Sequence, residues 1–203
     1  MTLHIGSDNI VDIRFGNEKI AKVYKGEDLV YGYVPGQVLF ESSTPGTYQL
    51  YVKCRCKLYV QAVGGGGGRS STAYPIQGVW HYWSGSGGSG AYLYGNKEVY
   101  AGTYTITVGA GTTAGATANG GDSVVFGEVA GGGKTGTSSA GNSAGGAGGI
   151  ASTNLNFING NNGGRWTDGH GPGGASVYEG YGAGASSNDG SASVGGYVKI
   201  SAI

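Results

Sequence analysis

Apolar and polar side chains alternate most regularly between residues 50 and 62. The apolar side of this stretch consists of Leu50, Val52, Cys54, Cys56, Leu58, Val60 and Ala62. The other side carries Tyr51, Lys53, Arg55, Lys57, Tyr59 and Gln61. Because side chains of a β-strand point alternately to its two faces, the pattern predicts a half-buried antiparallel strand, or a hairpin that turns near residues 53–57.

Shorter patterns of the same kind predict further strands at 38–40, 91–94, 99–108, 122–126 and 196–203. No stretch of helical length has apolar residues at the spacing of an α-helix. Between the predicted strands lie loops rich in glycine, serine, threonine, alanine and asparagine. The predicted fold class is therefore all-β, with a small N-terminal β-repeat module and an antiparallel β-sandwich-like domain that carries long glycine-rich loops.

Residues 4–32 contain a repeated unit of about ten residues, in which a glycine within a polar turn precedes an aliphatic pair. Such units predict short strands joined by tight turns, and they are too small to bury a core alone. We therefore expect self-association through residues 1–33. The run Tyr33-Val34-Pro35-Gly36 indicates a boundary, so the predicted domains are residues 1–35, for attachment and oligomerisation, and residues 36–203, the glycine-rich β domain.

Composition narrows the classes of function. Glycine makes up 46 of the 203 residues, which favours a fold whose backbones pack close together. The 12 basic and 12 acidic residues balance, and this argues against nucleic acid as a partner because phosphate binding needs a basic surplus. The sequence contains neither a signal peptide nor an apolar run of membrane-spanning length, so we expect assembly in the cytoplasm without membrane insertion. Cys54 and Cys56 are expected to be packed or free thiols.

Four segments follow one another in a distinctive order, at residues 60–68, 101–111, 120–127 and 195–200. The first is Val60-Gln61-Ala62-Val63 followed by five glycines, and the second contains Gly102-Thr103-Tyr104-Thr105-Ile106-Thr107-Val108-Gly109. In this order, and over roughly residues 38–203, the chain resembles the glycine-rich domain of bacteriophage tail fibre and minor tail (adhesin-like) proteins. The stretch 22–31 also resembles modules that precede such domains in those proteins.

The resemblance implies a virion structural or host-adhesion protein, often a homotrimer. Some glycine-rich phage adhesins also form polyglycine II bundles, in which extended chains pack through backbone hydrogen bonds and glycine recurs at every third residue. Pairs with that spacing are Gly145/Gly148, Gly146/Gly149, Gly160/Gly163 and Gly171/Gly174. Because these runs are short, the sequence favours ordinary loops over a local polyglycine II bundle.

Enzymatic motifs are weak. Segments 85–90 and 169–174 match the dinucleotide pattern G-x-G-x-x-G, but no helix is predicted after either, and the pattern needs one. The carboxylates of the C-terminal region form no pair of the kind that hydrolyses glycosidic bonds. His81 and His170 lack a nucleophile context, and a solvated loop is favoured over an Asp168–His170 ion site. We therefore predict no enzyme, no catalytic residue, no cofactor and no metal.

Segment 74–83 interrupts the glycine-rich sequence with two of the three tryptophans. Aromatic rings on a loop supply rigid contact area for sugar faces or protein partners. Alternatively, the rings fold back to cover a core that is short of leucine. The predicted binding residues are Tyr74, Trp80, His81, Tyr82, Trp83 and Trp166.

The expected function is that of a phage or prophage virion protein, associated with the tail, that contributes to host attachment. Its expected partners are further copies of itself, other virion proteins through residues 1–33, and a host surface glycan or protein receptor. The first alternative is a purely structural virion component, such as a head fibre, decoration or tail-tip subunit. An ice-binding or cell-surface protein is disfavoured by the missing signal peptide and by the glycine spacing.

Overall fold

The computed structural model describes residues 14–15, 18–19, 23–25, 28–167, 172–186 and 191–203. Every regular element within these residues is a β-strand, which confirms the predicted all-β fold class. In chain order the strands are β1 (Arg14–Phe15), β2 (Glu18–Lys19), β3 (Val23–Lys25), β4 (Asp28–Tyr31), β5 (Val38–Ser42), β6 (Gly46–Val52), β7 (Cys56–Val63), β8 (Ser70–Ile76), β9 (Val79–Gly85), β10 (Tyr92–Val99), β11 (Gly102–Val108), β12 (Ser123–Val125), β13 (Glu128–Ala130), β14 (Thr137–Ser139), β15 (Asn142–Ala144), β16 (Ala151–Ser152), β17 (Asn156–Ile158), β18 (Arg165–Thr167) and β19 (Tyr197–Ala202).

Two five-stranded antiparallel sheets form a sandwich. The strand order is β17-β10-β7-β19-β5 in sheet 1 and β16-β13-β12-β11-β6 in sheet 2. Apolar side chains of both sheets meet in one core, whose fully buried members include Val52, Leu58, Leu93, Ile106 and Ile200. Since burying one such side chain contributes about 1.5–3 kcal/mol, the alternating strands gain most of their stability from this core.

The alternating stretch 50–62 forms neither one strand nor a hairpin. β6 pairs with β11 in sheet 2, whereas β7 pairs with β10 and β19 in sheet 1. The chain crosses from one sheet to the other at residues 53–55, and the alternation continues because both strands face the same core. The predicted apolar side is buried except for Cys56, which is half-buried.

The N-terminal repeat is described in part. β1 pairs with β2, and β3 pairs with β4, both antiparallel, as expected for short strands joined by tight turns. The first predicted unit, around Ile5, lies outside the described residues. Val23 packs against the sandwich core, and Tyr33 is buried in it, with its hydroxyl accepting a 2.9 Å hydrogen bond from the N–H of Lys53. The division into residues 1–35 and 36–203 stays a prediction.

The glycine-rich segments between the strands form a hydrogen-bonded bundle. Its segments are 64–68, 86–91, 109–112, 118–121, 131–136, 146–149, 160–164, 172–174, 182–185 and 193–196. In segment 64–68, the first and fourth N–H groups donate to segment 86–91, at 3.0 and 2.9 Å. The second and fifth donate to segment 118–121, and the third donates to the carbonyl oxygen of Val194. Donors to one neighbour are thus three residues apart.

Segment 86–91 shows the same period. Its successive N–H groups donate in turn to segments 160–164, 182–185 and 131–136, and then the order repeats. Its carbonyl oxygens accept hydrogen bonds from three other neighbours. These are segment 64–68, segment 146–149 and segment 172–174, the last through the N–H of Gly174. An extended chain with three residues per turn has the geometry of polyglycine II, and six neighbours around one chain make a bundle.

This bundle overturns the expectation that ordinary loops are favoured. Gly146 and Gly149 donate to the carbonyl oxygens of Ser86 and Ser89, which are far away in sequence. No local spacing could indicate these partners. Gly171, from the last of the predicted pairs, lies outside the described residues.

Close packing explains why the bundle needs glycine. A Cβ atom added to Gly66 would lie within 3.0 Å of the backbone of Ala183, and one added to Gly87 would lie equally close to the backbone of Gly67. Real Cβ atoms do not approach other atoms so closely, and the obstructing atoms are backbone, which cannot rotate away. Glycine at these positions therefore allows hydrogen bonds between chains that a side chain would force apart.

Candidate attachment surface

The aromatic segment forms a β-hairpin and not a loop. β8 and β9 pair from Ser70 and Gly85 to Ile76 and Val79. The two residues between them, Gln77 and Gly78, have φ angles of 52° and 79°. Positive φ at both central residues is the requirement of the tight hairpin turn whose twist matches that of the strands. The hairpin is thus specified by its own turn and by strands that contain several β-branched and aromatic residues.

Both ends of this hairpin continue into the bundle. One residue separates β8 from segment 64–68, and β9 runs directly into segment 86–91. Those are the two segments whose hydrogen bonds define the bundle. The hairpin is therefore anchored at both ends in closely packed, hydrogen-bonded backbone.

The base of the hairpin is covered. β18 pairs with the end of β9, and the β14–β15 hairpin packs on β8 and β9. The Ser138 hydroxyl lies 2.8 Å from the Ser70 hydroxyl and 3.0 Å from that of Thr72. Trp83, beside this contact, is only 5% exposed. The lower half of the hairpin is held by packing, and only the half beyond it projects.

The projecting half displays large apolar side chains. Val79 and Trp80 are each 60% exposed, and Tyr74, Ile76 and Tyr82 are also exposed. The direct pairing of Tyr74 with His81 and of Ile76 with Val79 places these four on one face. Trp80 and Tyr82 occupy the opposite face, since neighbouring residues of a strand alternate.

The structure thus brings all six predicted binding residues to one three-stranded sheet, ordered β18-β9-β8. Tyr74, Trp80 and Tyr82 are exposed and His81 is half-buried. Trp83 is buried and packs near His81, with ring centroids 6.0 Å apart. Trp166 pairs through its backbone with Ser84. Trp83 is buried, although it belongs to neither hydrophobic core, whereas Trp80 is exposed.

Ile76 and Val79 were not among the predicted binding residues. They gain their exposure by flanking the turn at the end of the hairpin. The signal was present in the sequence, because Gln77-Gly78 separates two short runs that are rich in β-branched and aromatic residues. The prediction that segment 74–83 is a loop was therefore wrong, and the exposure of Ile76 and Val79 beside the turn was missed.

A polar cavity of about 400 Å³ lies beside the turn between β12 and β13. Its lining residues are Lys97, Phe126, Gly127, Glu128, Ser152, Thr153 and Asn154. The buried Glu128 carboxylate is ion-paired with Lys97, and its other oxygen accepts from the Thr153 hydroxyl at 2.5 Å and from the N–H of Asn154 at 2.9 Å. Both oxygens of Glu128 are therefore engaged, and the ion pair joins β13 of sheet 2 to β10 of sheet 1.

Electrostatics agree with this structural role. Burial alone would raise the pKa of the Glu128 carboxyl, but hydrogen bonds from Lys97, Thr153 and Asn154 outweigh it and hold the pKa below its ordinary value. Hydrolysis of a glycosidic bond needs a second carboxylate facing the first. The residues that line this cavity supply none.

Five tyrosines stack on the outer face of sheet 1. In order they are Tyr94, Tyr92, Tyr178, Tyr197 and Tyr181, with successive ring centroids 5.1, 4.4, 6.0 and 4.5 Å apart. Burial raises the pKa of Tyr92 to about 12. Burial and the hydrogen bond to Glu41 raise the pKa of Tyr197 as well. Since Tyr92 and Tyr197 are buried, the stack is a second small core and not an open platform.

The remaining candidate motifs find no functional geometry in the described part of the chain. Segment 85–90 enters the bundle, and no helix follows it there. Asp168 and His170, and with them the second glycine motif, lie outside the described residues. Among those that are described, no three His, Cys, Asp or Glu side chains gather closely enough to hold a metal ion. Cys54 and Cys56 are not joined in a disulfide.

No helix within the described ranges is long and apolar enough to cross a membrane. A comparison with curated proteins finds no match. A comparison with protein families finds one whose model is described as a glycine-rich domain and matches residues 42–201. That match runs from the last residue of β5 to the penultimate residue of β19 and includes the bundle. The protein therefore belongs to the glycine-rich domain family.

Proposed function

We propose that the protein is a tail-associated structural component of a phage or prophage virion and contributes to host-cell attachment. The observation that carries the proposal is the β8–β9 hairpin, which displays Trp80 and Tyr82 on one face and Tyr74 on the other. Exposed apolar patches of this kind mark interaction sites. The contact is non-covalent, and we propose no catalytic activity.

The bundle supports this role through rigidity. Aromatic side chains bind well when they are held in place, because little side-chain or loop entropy is then lost on association. The hairpin continues at both ends into hydrogen-bonded segments that lack room for a single added methyl group. The residues at the end of the hairpin can therefore differ without loss of the fold, because the bundle holds the hairpin in position.

The phage assignment rests on the resemblance of segments 60–68, 101–111, 120–127 and 195–200 to tail proteins. Under this proposal residues 1–33 attach the protein to other virion proteins and associate it into a homotrimer. The glycine-rich domain faces outward in the virion, toward a glycan or a protein receptor on the host.

A purely structural role, as a head fibre, decoration or tail-tip subunit, has one observation in its favour. Phe157 and Ile158 are half-exposed on β17, the edge strand of sheet 1. An edge strand with exposed apolar residues can pair with or pack on a neighbouring subunit. In this alternative β17 carries the contact, and the aromatic hairpin has no receptor.

Binding of the labelled protein to a panel of bacterial strains tests the proposal. We expect Trp80→Ala with Tyr82→Ala to abolish binding to any strain that the unaltered protein binds. Phe157→Ala removes an aromatic ring of similar exposure from another face, and we expect it to leave binding unchanged. No effect of the hairpin changes on a strain that is bound would contradict the proposal. Absence of binding to every strain would favour the structural role.

A further inference from the structure

Polarity changes steadily along the β8–β9 hairpin. Its base carries hydroxyl side chains, at Ser70, Ser71, Thr72 and Ser84. The middle carries aromatic rings, and the end carries the aliphatic pair Ile76 and Val79 on either side of the turn. No Asp, Glu, Lys or Arg occurs anywhere from residue 70 to residue 85. The hairpin is therefore uncharged, and its most apolar level is that of Ile76 and Val79, directly behind the turn that carries the polar Gln77.

Exposure on both faces restricts the kind of partner. Tyr74, Ile76 and Val79 are exposed on one face, while Trp80 and Tyr82 are exposed on the other. A glycan stacked on a ring, or a flat protein surface, would cover one face and leave the other in water. A medium that surrounds the end of the hairpin would bury all five side chains at once.

We infer that the end of this hairpin inserts into the interfacial region of a lipid bilayer. The inference rests on the proposed function, because it takes the hairpin as the attachment surface, and it names the partner as lipid instead of a glycan or protein. Tryptophan and tyrosine are favoured at the level of the headgroups, with aliphatic side chains below them. The order of Trp80, Tyr82 and Tyr74 behind Ile76 and Val79 matches that arrangement.

The dimensions fit a shallow insertion. Residues from Tyr74 to the turn extend about 10 Å at the usual rise of a β-strand. Interfacial segments bury their apolar face about 5–10 Å deep. Such a depth needs no apolar run of membrane-spanning length, so it is compatible with the absence of one from the sequence.

Pro75 removes one outward-pointing N–H group from the inserted part of the hairpin. β8 is an edge strand, and an unpaired N–H group is costly in a medium without water. Ile76 and Val79 flank a two-residue turn, and residues in that position form a hydrogen-bonded pair. The N–H of the preceding position would therefore point away from β9. Proline at that position has no N–H to leave unpaired.

Two arginines lie at the base of the hairpin. Arg69 directly precedes β8, and the exposed Arg165 is paired with Gly85 at the end of β9. They lie at the same level, on the bundle side of the uncharged segment. At the usual rise of a β-strand, the exposed Arg165 lies about 14 Å behind Tyr74, so its charge attracts anionic headgroups from outside the inserted part.

Flotation of the full chain with phospholipid vesicles tests the inference. We expect the protein to float with phosphatidylcholine vesicles, and Val79→Ser to weaken partitioning about tenfold, as expected when one large apolar side chain no longer leaves water. The matched control is Phe157→Ser, which should partition as the unaltered protein does. Arg165→Gln should weaken binding only when the vesicles contain phosphatidylglycerol.

Tryptophan fluorescence gives a second readout on the same samples. We expect a blue shift on binding, with quenching by lipids brominated on their acyl chains, and loss of that quenching in Trp80→Phe. Near-ultraviolet and far-ultraviolet circular dichroism establish whether each variant is folded. We expect the variants at Val79, Trp80 and Phe157 to fold, because these side chains are exposed.

The outcomes separate this inference from the proposed function. If the protein ignores both kinds of vesicle but binds cells through Trp80, the lipid inference is wrong, the partner is a glycan or a protein, and the proposed function stands. If the protein binds neither vesicles nor cells, the lipid inference and the proposed attachment function are both wrong. Vesicle binding that is equally lost in Phe157→Ser also overturns the inference, because the contact is then not specific to the hairpin.

Discussion

Gly67 and Gly88 are joined by a hydrogen bond, in which the N–H of Gly67 donates to the carbonyl oxygen of Gly88 at 2.9 Å. Gly64 makes the corresponding bond to Ala91, so the two segments run antiparallel with a contact at every third residue. The β8–β9 hairpin is the connection between these two segments. The bond between Gly67 and Gly88 therefore closes the base from which the aromatic residues project.

Replacing Gly66 by alanine should destabilise the fold severely. The added Cβ would meet the backbone of Ala183 within 3.0 Å, and moving that backbone would break bonds to further segments. We expect a loss of more than about 3 kcal/mol in the free energy of unfolding, or no folded protein. Denaturant unfolding provides the measurement.

The matched control is Gly115→Asn. Gly115 has a φ angle of 75° with no atom near a Cβ, and asparagine tolerates positive φ better than most residues do. We expect a change within about 1 kcal/mol. Equal effects at positions 66 and 115 would mean that close packing does not determine where glycine is required.

Trp80 and Trp83 should differ in their effect on stability although they lie three residues apart. Trp83 is buried, so Trp83→Ala should cost about 3–5 kcal/mol. Trp80 is exposed, so Trp80→Ala should change stability by less than about 0.5 kcal/mol. Thermal unfolding of both variants checks this, and a large loss with Trp80→Ala would show that its ring packs in the fold.

Acid should weaken the link between the two sheets at Glu128. The folded-state pKa of this carboxyl is lowered, so the unfolded chain takes up a proton first, near the ordinary pKa of about 4.3. Its contribution to stability is therefore present above that pH and is lost as the pH falls through the lowered folded-state pKa. Melting temperatures between neutral and acidic pH should reveal this loss.

Glu128→Gln isolates that contribution. The variant should be less stable at neutral pH, because it leaves Lys97 without its ion-pair partner. Its stability should also fall less steeply with acid. Parallel profiles for the two proteins would show that Glu128 is not the group responsible.

Alkali should act on the tyrosine stack. Burial raises the pKa of Tyr92 to about 12, while an exposed tyrosine titrates near 10. The stability from this group is present below about pH 10 and is lost as the pH rises toward 12. Absorbance titration of tyrosinate should show a late step that is smaller in Tyr92→Phe, and an unchanged late step would contradict the assignment.

The sequence predicted the sandwich better than the bundle for a physical reason. Alternation at Leu50, Val52, Leu58 and Val60 follows directly from the two faces of a strand, so core positions could be named without knowing the pairing. The same alternation could not show that β6 and β7 lie in different sheets, because both strands face one core. Pairing depends on contacts that local pattern does not contain.

Glycine spacing carried still less information. Gly66 bonds to Val194, and nothing in either local sequence identifies the other as its partner. At the candidate site, composition singled out the segment that contains Trp80 and Trp83, and that segment forms the β8–β9 hairpin. Which ring is exposed depends on the β14–β15 hairpin that packs at the base, and that packing is again a long-range contact.

Amide hydrogen exchange of the glycines tests most directly the claim that the bundle is the rigid support of the hairpin. The N–H groups of Gly66, Gly67, Gly87 and Gly88 are buried and hydrogen-bonded, so we predict that they exchange only through global unfolding. At the hairpin end, the exposed turn residues Gln77 and Gly78 should exchange far faster. Rapid exchange of the bundle glycines at rates similar to those of Gln77 and Gly78 would contradict the account, because the hairpin would then project from mobile loops.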